Sequence, residues 1–154
     1  MKKVIVLVAI CLMALSINAQ SYVDLGLPSG TKWKSTNEKG GFLTYDEAIS
    51  KYGDKLPTRE QYEELKEKCT WVSTGNGCNV YGPNGNYIYM PAMGSRGCDG
   101  SVYSSNTLGY YLSSTRKDSG YVWYLFFAAS RVSTTVSVGE SYRCGGYSIR
   151  LVHD

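Results

Sequence analysis

The sequence predicts an α+β fold. Two capped amphipathic helices stand before Cys69, and no helix signal follows them. The remaining half alternates short apolar runs with turns rich in Gly, Asn and Ser. Helices segregated from a long run of strand-forming segments are the pattern of an α+β domain.

The first segment, "YVDLGLPSGTKW", reads as a β-hairpin. Val23 and Leu25 alternate with Asp24, "PSG" turns the chain, and Trp33 ends the second arm. Lys34 to Gly41 is polar and ends in "GG", which marks a loop. Thr44 with Glu47 forms a capping box, and "YDEAISKYG" stops at Gly53. Pro57 breaks the chain, and Thr58 with Gln61 opens a second helix, "REQYEELKEKC". Tyr62, Leu65 and Cys69 fall on one stripe of it. The charges from Glu60 to Lys68 lie on the solvated face.

Beyond Cys69, "GNG" and "GPNG" separate strands predicted at Trp71–Thr74, Cys78–Tyr81 and Tyr87–Met90. Gly94 to Thr115 reads as Gly/Ser/Tyr loop. "YVWYLFFAA" is one buried strand, too short for a membrane span. "RVSTTVSV" follows with alternating valines, and "GYSIRLV" is expected to close the chain as a last strand. Alternation puts Tyr121, Trp123, Leu125 and Phe127 on one face of the apolar run, and Val122, Tyr124 and Phe126 on the other. Trp123, Leu125 and Phe127 are assigned to the core, which turns Tyr124 outward.

The chain opens "MKKVIVLVAICLMALSINAQ": two lysines, an apolar run, then small residues. This is the layout of a secretory signal peptide over residues 1–19, cleaved near Ala19. Cys11 follows Ile10, where a lipidation signal has a small residue. A single domain over residues 20–154 is then expected to be secreted, periplasmic or displayed at the cell surface, with no transmembrane segment. Lys2 and Lys3 leave with the leader, so the formal charge falls by two from +3. No basic stripe remains to suggest nucleic acid.

Cys69, Cys78, Cys98 and Cys144 remain, and four cysteines allow three connectivities. Export makes disulfides feasible. Cys98 and Cys144 lie in loop-like stretches, and a variant lacking both is expected to stay folded. There is no CxxC, and the one histidine is His153, so no metal or other cofactor is expected.

Several pieces recur together in order: "YVDLGLPSGTKW", "LPTREQYEELKEKCTW", "GPNGN" followed by "MPAMGSRG", "GYYLSST" and a terminal "GYSIRLV". In this the chain resembles the Fibrobacter succinogenes major paralogous domain, a family of exported bacterial proteins. The resemblance implies a C-type-lectin-like fold of the formylglycine-generating-enzyme variety. That fold has two short N-terminal helices, short irregular antiparallel strands, long Gly/Ser/Tyr loops, and first and last strands close together. The C-terminal half also resembles the variable proteins of diversity-generating retroelements. That likeness implies a fixed frame at Gly109, Tyr110, Leu125, Phe127, Arg143, Gly146 and Arg150, with variable positions between.

Nearly half of the residues from Gly94 to Ser148 are Tyr, Ser or Gly. Tyrosine gives stiff amphipathic contact area, and Ser and Gly let loops adapt, as in antibody paratopes. The expected function is a non-catalytic binding module for a protein or glycan ligand, in the manner of a diversified receptor or adhesin. Its candidate contact residues are Tyr103, Arg116, Asp118, Tyr124, Arg131 and Tyr142. The alternative is a structural cell-surface or fimbrial-tip subunit. A sulfatase-modifying-like enzyme ranks last, because Cys98 and Cys144 match no catalytic motif and no Ser-His-Asp order or phosphate loop is present.

Overall fold

The computed structural model describes residues 21–154. The expected signal peptide, residues 1–19 with Cys11, lies outside the described residues, as does Gln20.

The opening hairpin forms as predicted. β1 (Tyr22–Asp24) pairs antiparallel with β2 (Lys32–Lys34), Val23 opposite Trp33. The chain end returns as β11 (Val152–His153) on the other side of β2, with Val152 opposite Trp33. First and last strands therefore share one small sheet. Trp33 is fully buried at its centre, packs 5.4 Å from the Tyr62 ring, and leaves its Nε1 without a partner.

Both capping boxes are made. α1 (Tyr45–Tyr52) starts with Thr44 Oγ1 accepting from Glu47 N at 3.3 Å, while Thr44 N donates back to the Glu47 carboxylate. A 3₁₀ turn (Gly53–Lys55) leads to α2 (Arg59–Lys68), capped by Thr58 and Gln61 in the same reciprocal way. Such a cap stabilises a helix by about 1 kcal/mol. Tyr62 and Leu65 are fully buried, and Tyr62 donates its hydroxyl to Leu112 O at 3.1 Å. The amphipathic reading of this helix holds.

β3 (Thr70–Ser73), β4 (Gly77–Tyr81) and β5 (Tyr87–Pro91) form an antiparallel meander at the three predicted places. The strand over "YVWYLFFAA" forms where predicted, but much of the rest is longer than the short strands that the resemblance implies. β6 (Gly94–Arg96) and β7 (Val102–Ser104) are short, but β8 (Leu108–Arg116), β9 (Tyr121–Ala129) and β10 (Thr134–Tyr142) run nine residues each. They form a five-stranded sheet in the order β10-β9-β8-β6-β7, antiparallel except where β6 meets β8. β8, read from the sequence as loop, is its central strand. Its polar letters hid this: Gly109 is there because a Cβ would collide with the Phe127 ring, and Ser113 is buried with a hydroxyl that accepts from Thr115 N. The final "GYSIRLV" is mostly not strand. Tyr147 bridges Leu43, Ser148 bridges Tyr111, and only Val152–His153 joins a sheet.

The middle of the long sheet, in β8 and β9, is buried on both faces. One face joins α2 and the meander in a core that includes Tyr62, Leu65, Val80, Met90, Leu125 and Phe127. The other packs Leu112 and Val122 against Ala48, Leu56, Tyr147 and Ile149. Burying each large apolar side chain contributes roughly 1.5–3 kcal/mol.

Among these side chains sits Arg150, with no exposed surface. It donates to Asn37 Oδ1 at 2.8 Å, Lys34 O at 2.8 Å and Tyr89 O at 2.6 Å. Asn37 in turn donates to the hydroxyl of Tyr111, which donates to Pro91 O. Burial pushes the Tyr111 phenol up to about 12, with Arg150 opposing, so it stays a neutral donor.

Cys98 and Cys144 form a disulfide, with Cα atoms 4.9 Å apart across 46 residues of chain. Cys69 and Cys78 are free thiols. The bridge ties the β6–β7 turn to the segment after β10, where Arg96 and Gly146 also exchange backbone hydrogen bonds.

Arg150→Ala is expected to lower stability by about 3–5 kcal/mol, since buried acceptors lose a charged donor; urea unfolding measures it, and a loss under about 1 kcal/mol would remove Arg150 from the centre of the fold. The Cys98→Ser, Cys144→Ser double variant is expected to keep a cooperative transition while losing about 2–4 kcal/mol, the value of closing a loop of this length. A non-cooperative thermal melt would make the bridge indispensable.

Candidate functional site

The β9–β10 hairpin is longer than the core it covers. On its inward-facing side Leu125 and Phe127 are fully buried, and Val136 and Val138 pack against them. Further along, burial on this side falls off. Trp123 is only half-buried, and the Arg59 guanidinium lies 3.7 Å from its ring centroid. At the end, Tyr121 and Tyr142 stand opposite each other, ring centroids 5.3 Å apart, 40% and 59% exposed. Lys117 and Glu140 form an ion pair at 2.5 Å on the same hairpin end.

The backbone beneath these tyrosines is held from several sides. Asp118 Oδ1 accepts from Gly120 N at 2.8 Å and Tyr121 N at 2.9 Å, closing the β8–β9 turn. Arg143 N donates to Gly120 O. The Arg143 guanidinium reaches Asp46 Oδ1 at 2.6 Å and Ser119 O at 3.3 Å, joining the sheet end to the first turn of α1. Next to Arg143 is the Cys98–Cys144 bridge. A cleft of about 470 Å³ opens here, lined by Thr44, Asp46, Ser119, Gly120, Arg143 and Cys144. Tyr103, 61% exposed on β7, flanks the same bridge: a Cβ on Gly97, next to Cys98, would sit 3.0 Å from its ring.

The six sequence-predicted contact residues are thus divided. Tyr142 and Tyr103 are exposed around the bridge. Arg116 and Asp118 belong to the β8–β9 turn at the same end, but the Asp118 carboxylate is engaged by backbone amides. Arg131 is exposed in the Ser130–Ser133 turn, at the opposite end of the hairpin.

Tyr124 does not face open solvent. Its alternation was read correctly, but the outer face carries its own core. Tyr124 stacks 5.9 Å from Tyr110 and 6.2 Å from Tyr147. Burial raises its phenol above the ordinary tyrosine value. The assignment of Trp123 as fully buried core is corrected for the matching reason, since the inward side outruns its cover. Tyr121, exposed at the sheet end, was not among the predicted contact residues, and Arg143 was expected only as part of the frame. The parity of Tyr121 with Trp123 was visible in the sequence; the end of the core was not.

The cleft offers hydroxyls, backbone groups and the Arg143–Asp46 pair. His153, the one imidazole, lies elsewhere, 5.6 Å from the Tyr22 ring. Burial pushes both free thiols, Cys69 and Cys78, up to about 11, so they stay protonated at neutral pH. Among the described residues no group of three or more His, Cys, Asp or Glu could hold a metal ion, and no helix is long and apolar enough to cross a membrane. Comparison with family models, with curated proteins and with solved structures found no match.

Tyr124→Ala is expected to lower stability by about 2 kcal/mol, because it removes two aromatic stacks and part of the outer core. Trp123→Ala is expected to fall short of the roughly 3–5 kcal/mol of a fully buried aromatic. Chemical denaturation of both variants measures this; a silent Tyr124→Ala would restore the outward assignment.

Proposed function

We propose that the protein is an exported, non-catalytic binding module, carried on a C-type-lectin-like scaffold, that recognises a protein or glycan ligand. Its contact surface is the sheet end built by Tyr121, Tyr142, Arg143 and Tyr103 around the disulfide. The observation that carries this reading is the exposure of Tyr121 and Tyr142 on a backbone that needs neither side chain for its own support. Rigidly mounted aromatic and Arg side chains are those that most often dominate binding energy. The pairing of first and last strands in one small sheet supports the scaffold assignment.

A diversified receptor or adhesin is the sharper form of the same proposal. The frame positions implied by the resemblance support it. Five of the seven, Gly109, Leu125, Phe127, Gly146 and Arg150, are buried, Tyr110 and Arg143 are partly exposed, and the tyrosines of the sheet end are exposed.

The test has two stages. The mature chain is screened against a glycan array and a displayed protein library, and each ligand retained is measured against a Tyr121→Ala, Tyr142→Ala double variant. The double variant is expected to bind at least about thirtyfold more weakly, as for loss of about 2 kcal/mol at a hot spot, with an unchanged thermal midpoint. Undiminished binding by the double variant would place the contact surface elsewhere.

A further inference from the structure

A second cleft, of about 400 Å³, lies on other elements: β1, β2, the last turn of α1 and the turn that follows it. Its charged lining is Lys34, Lys51, Lys55 and Glu38, and its walls are Tyr22, Tyr52 and Leu151. The lining thus carries three lysines and one carboxylate. That carboxylate is already engaged: Lys34 donates to Glu38 Oε1, and Tyr52 donates to Glu38 Oε2 at 3.4 Å. Among the described residues, neither Lys51 nor Lys55 has a carboxylate within ion-pair distance.

Lys34 is the unusual group. Its side chain is 5% exposed, so its ammonium is almost wholly withdrawn from water. An ammonium carries three donors, and Lys34 Nζ has one protein acceptor, Glu38. A buried cation normally has its charge and its donors satisfied. Lys34 lines a cleft that also holds two further lysines, Lys51 and Lys55. The walls add a second requirement. The Lys51 ammonium stands 5.3 Å from the Tyr52 ring centroid, and Tyr22 packs edge-on to His153 at 5.6 Å, so both rings are held in place. Flat aromatic walls favour a ligand with a ring or other flat apolar face.

We infer that this cleft binds a small organic carboxylate bearing a ring, with its carboxylate directed to Lys34, Lys51 and Lys55 and its ring against Tyr22 and Tyr52. The adjoining cleft shares Tyr22 and Lys55 but carries Asp54 and Asp154, which repel an anion. That confines the carboxylate to the lysine side. The inference is independent of the contact surface proposed above, which lies on different residues.

The test is an NMR titration of the mature chain with glucuronate, with glucose as the uncharged ring and acetate as the ringless carboxylate. Glucuronate is expected to shift the amide signals of Tyr22, Lys51, Tyr52 and Lys55 saturably, and more tightly than either control. A Lys51→Gln, Lys55→Gln variant, altered only at exposed side chains, is expected to keep its thermal midpoint and bind about tenfold more weakly, as for loss of two exposed charge contacts. Tyr52→Phe keeps the ring and is expected to retain binding. No saturable shift with glucuronate, equal shifts with acetate, or unchanged affinity in the lysine variant would each overturn the inference.

Discussion

The buried guanidinium of Arg150 is the constraint on which the rest of the architecture depends. It donates to Lys34 O of β2 and to Tyr89 O of β5, and through Asn37 it reaches the Tyr111 hydroxyl of β8. One side chain thereby joins all three sheets. The Lys34 carbonyl is buried and the other acceptors partly so, and a buried acceptor needs a donor. Arginine suits the position because its fork supplies several donors in a fixed plane while remaining charged. The surrounding phenols stay neutral: burial holds both Tyr62 and Tyr111 above the ordinary tyrosine value. The arrangement explains why the terminal segment is irregular. Residues 147–151 spend their backbone groups on Leu43, Tyr110 and Leu112 from one element to the next, not on one partner strand.

That irregular segment also creates the second core, and the second core decides which tyrosines are free. Tyr147 and Ile149 cover the outer face of the long sheet, which takes Tyr110 and Tyr124 out of open solvent. Meanwhile the first residue of α2, Arg59, lies over Trp123, while Tyr121 and Tyr142 on the same face are exposed. The exposed aromatic pair is therefore Tyr121 with Tyr142, on the face that alternation alone assigns to the core. A period of two tells which residues share a face. It does not tell where along the strand the cover on that face ends.

Much of the local structure was legible in the sequence because it is set by neighbours in the chain. The two capping boxes, the opening hairpin, the meander turns at "GNG" and "GPNG", and the extent of "YVWYLFFAA" each follow from residues within a few positions of one another. What was not legible depends on distant segments. β8 looks like loop because its glycine, serines and tyrosines are polar letters. It is a central strand because Gly109 admits the Phe127 ring and Tyr111 finds Pro91 O and Asn37. The Cys98–Cys144 pairing belongs to the same class, since 46 residues separate the two and spacing selects no partner. Of the contact surface, Tyr103 and Tyr142 were legible as exposed aromatics in a tyrosine-rich half, whereas the part played by Arg143 required α1 to be placed beside the sheet end.

The same division separates side chains that hold the fold from side chains that are available to a ligand. At the sheet end, the turn is fixed by the Asp118 carboxylate and by backbone bonds, and α1 is docked by Arg143 to Asp46. The disulfide fixes the β6–β7 turn without using any ring. None of these supports passes through the exposed rings of Tyr103, Tyr121 or Tyr142. In the proposed binding module, replacing such a ring removes contact area while leaving its backbone in place, so the penalty is expected on recognition and not on folding. A surface of this kind tolerates change in what it displays because the frame beneath it, from Gly109 through Phe127 to Arg150, is stabilised elsewhere.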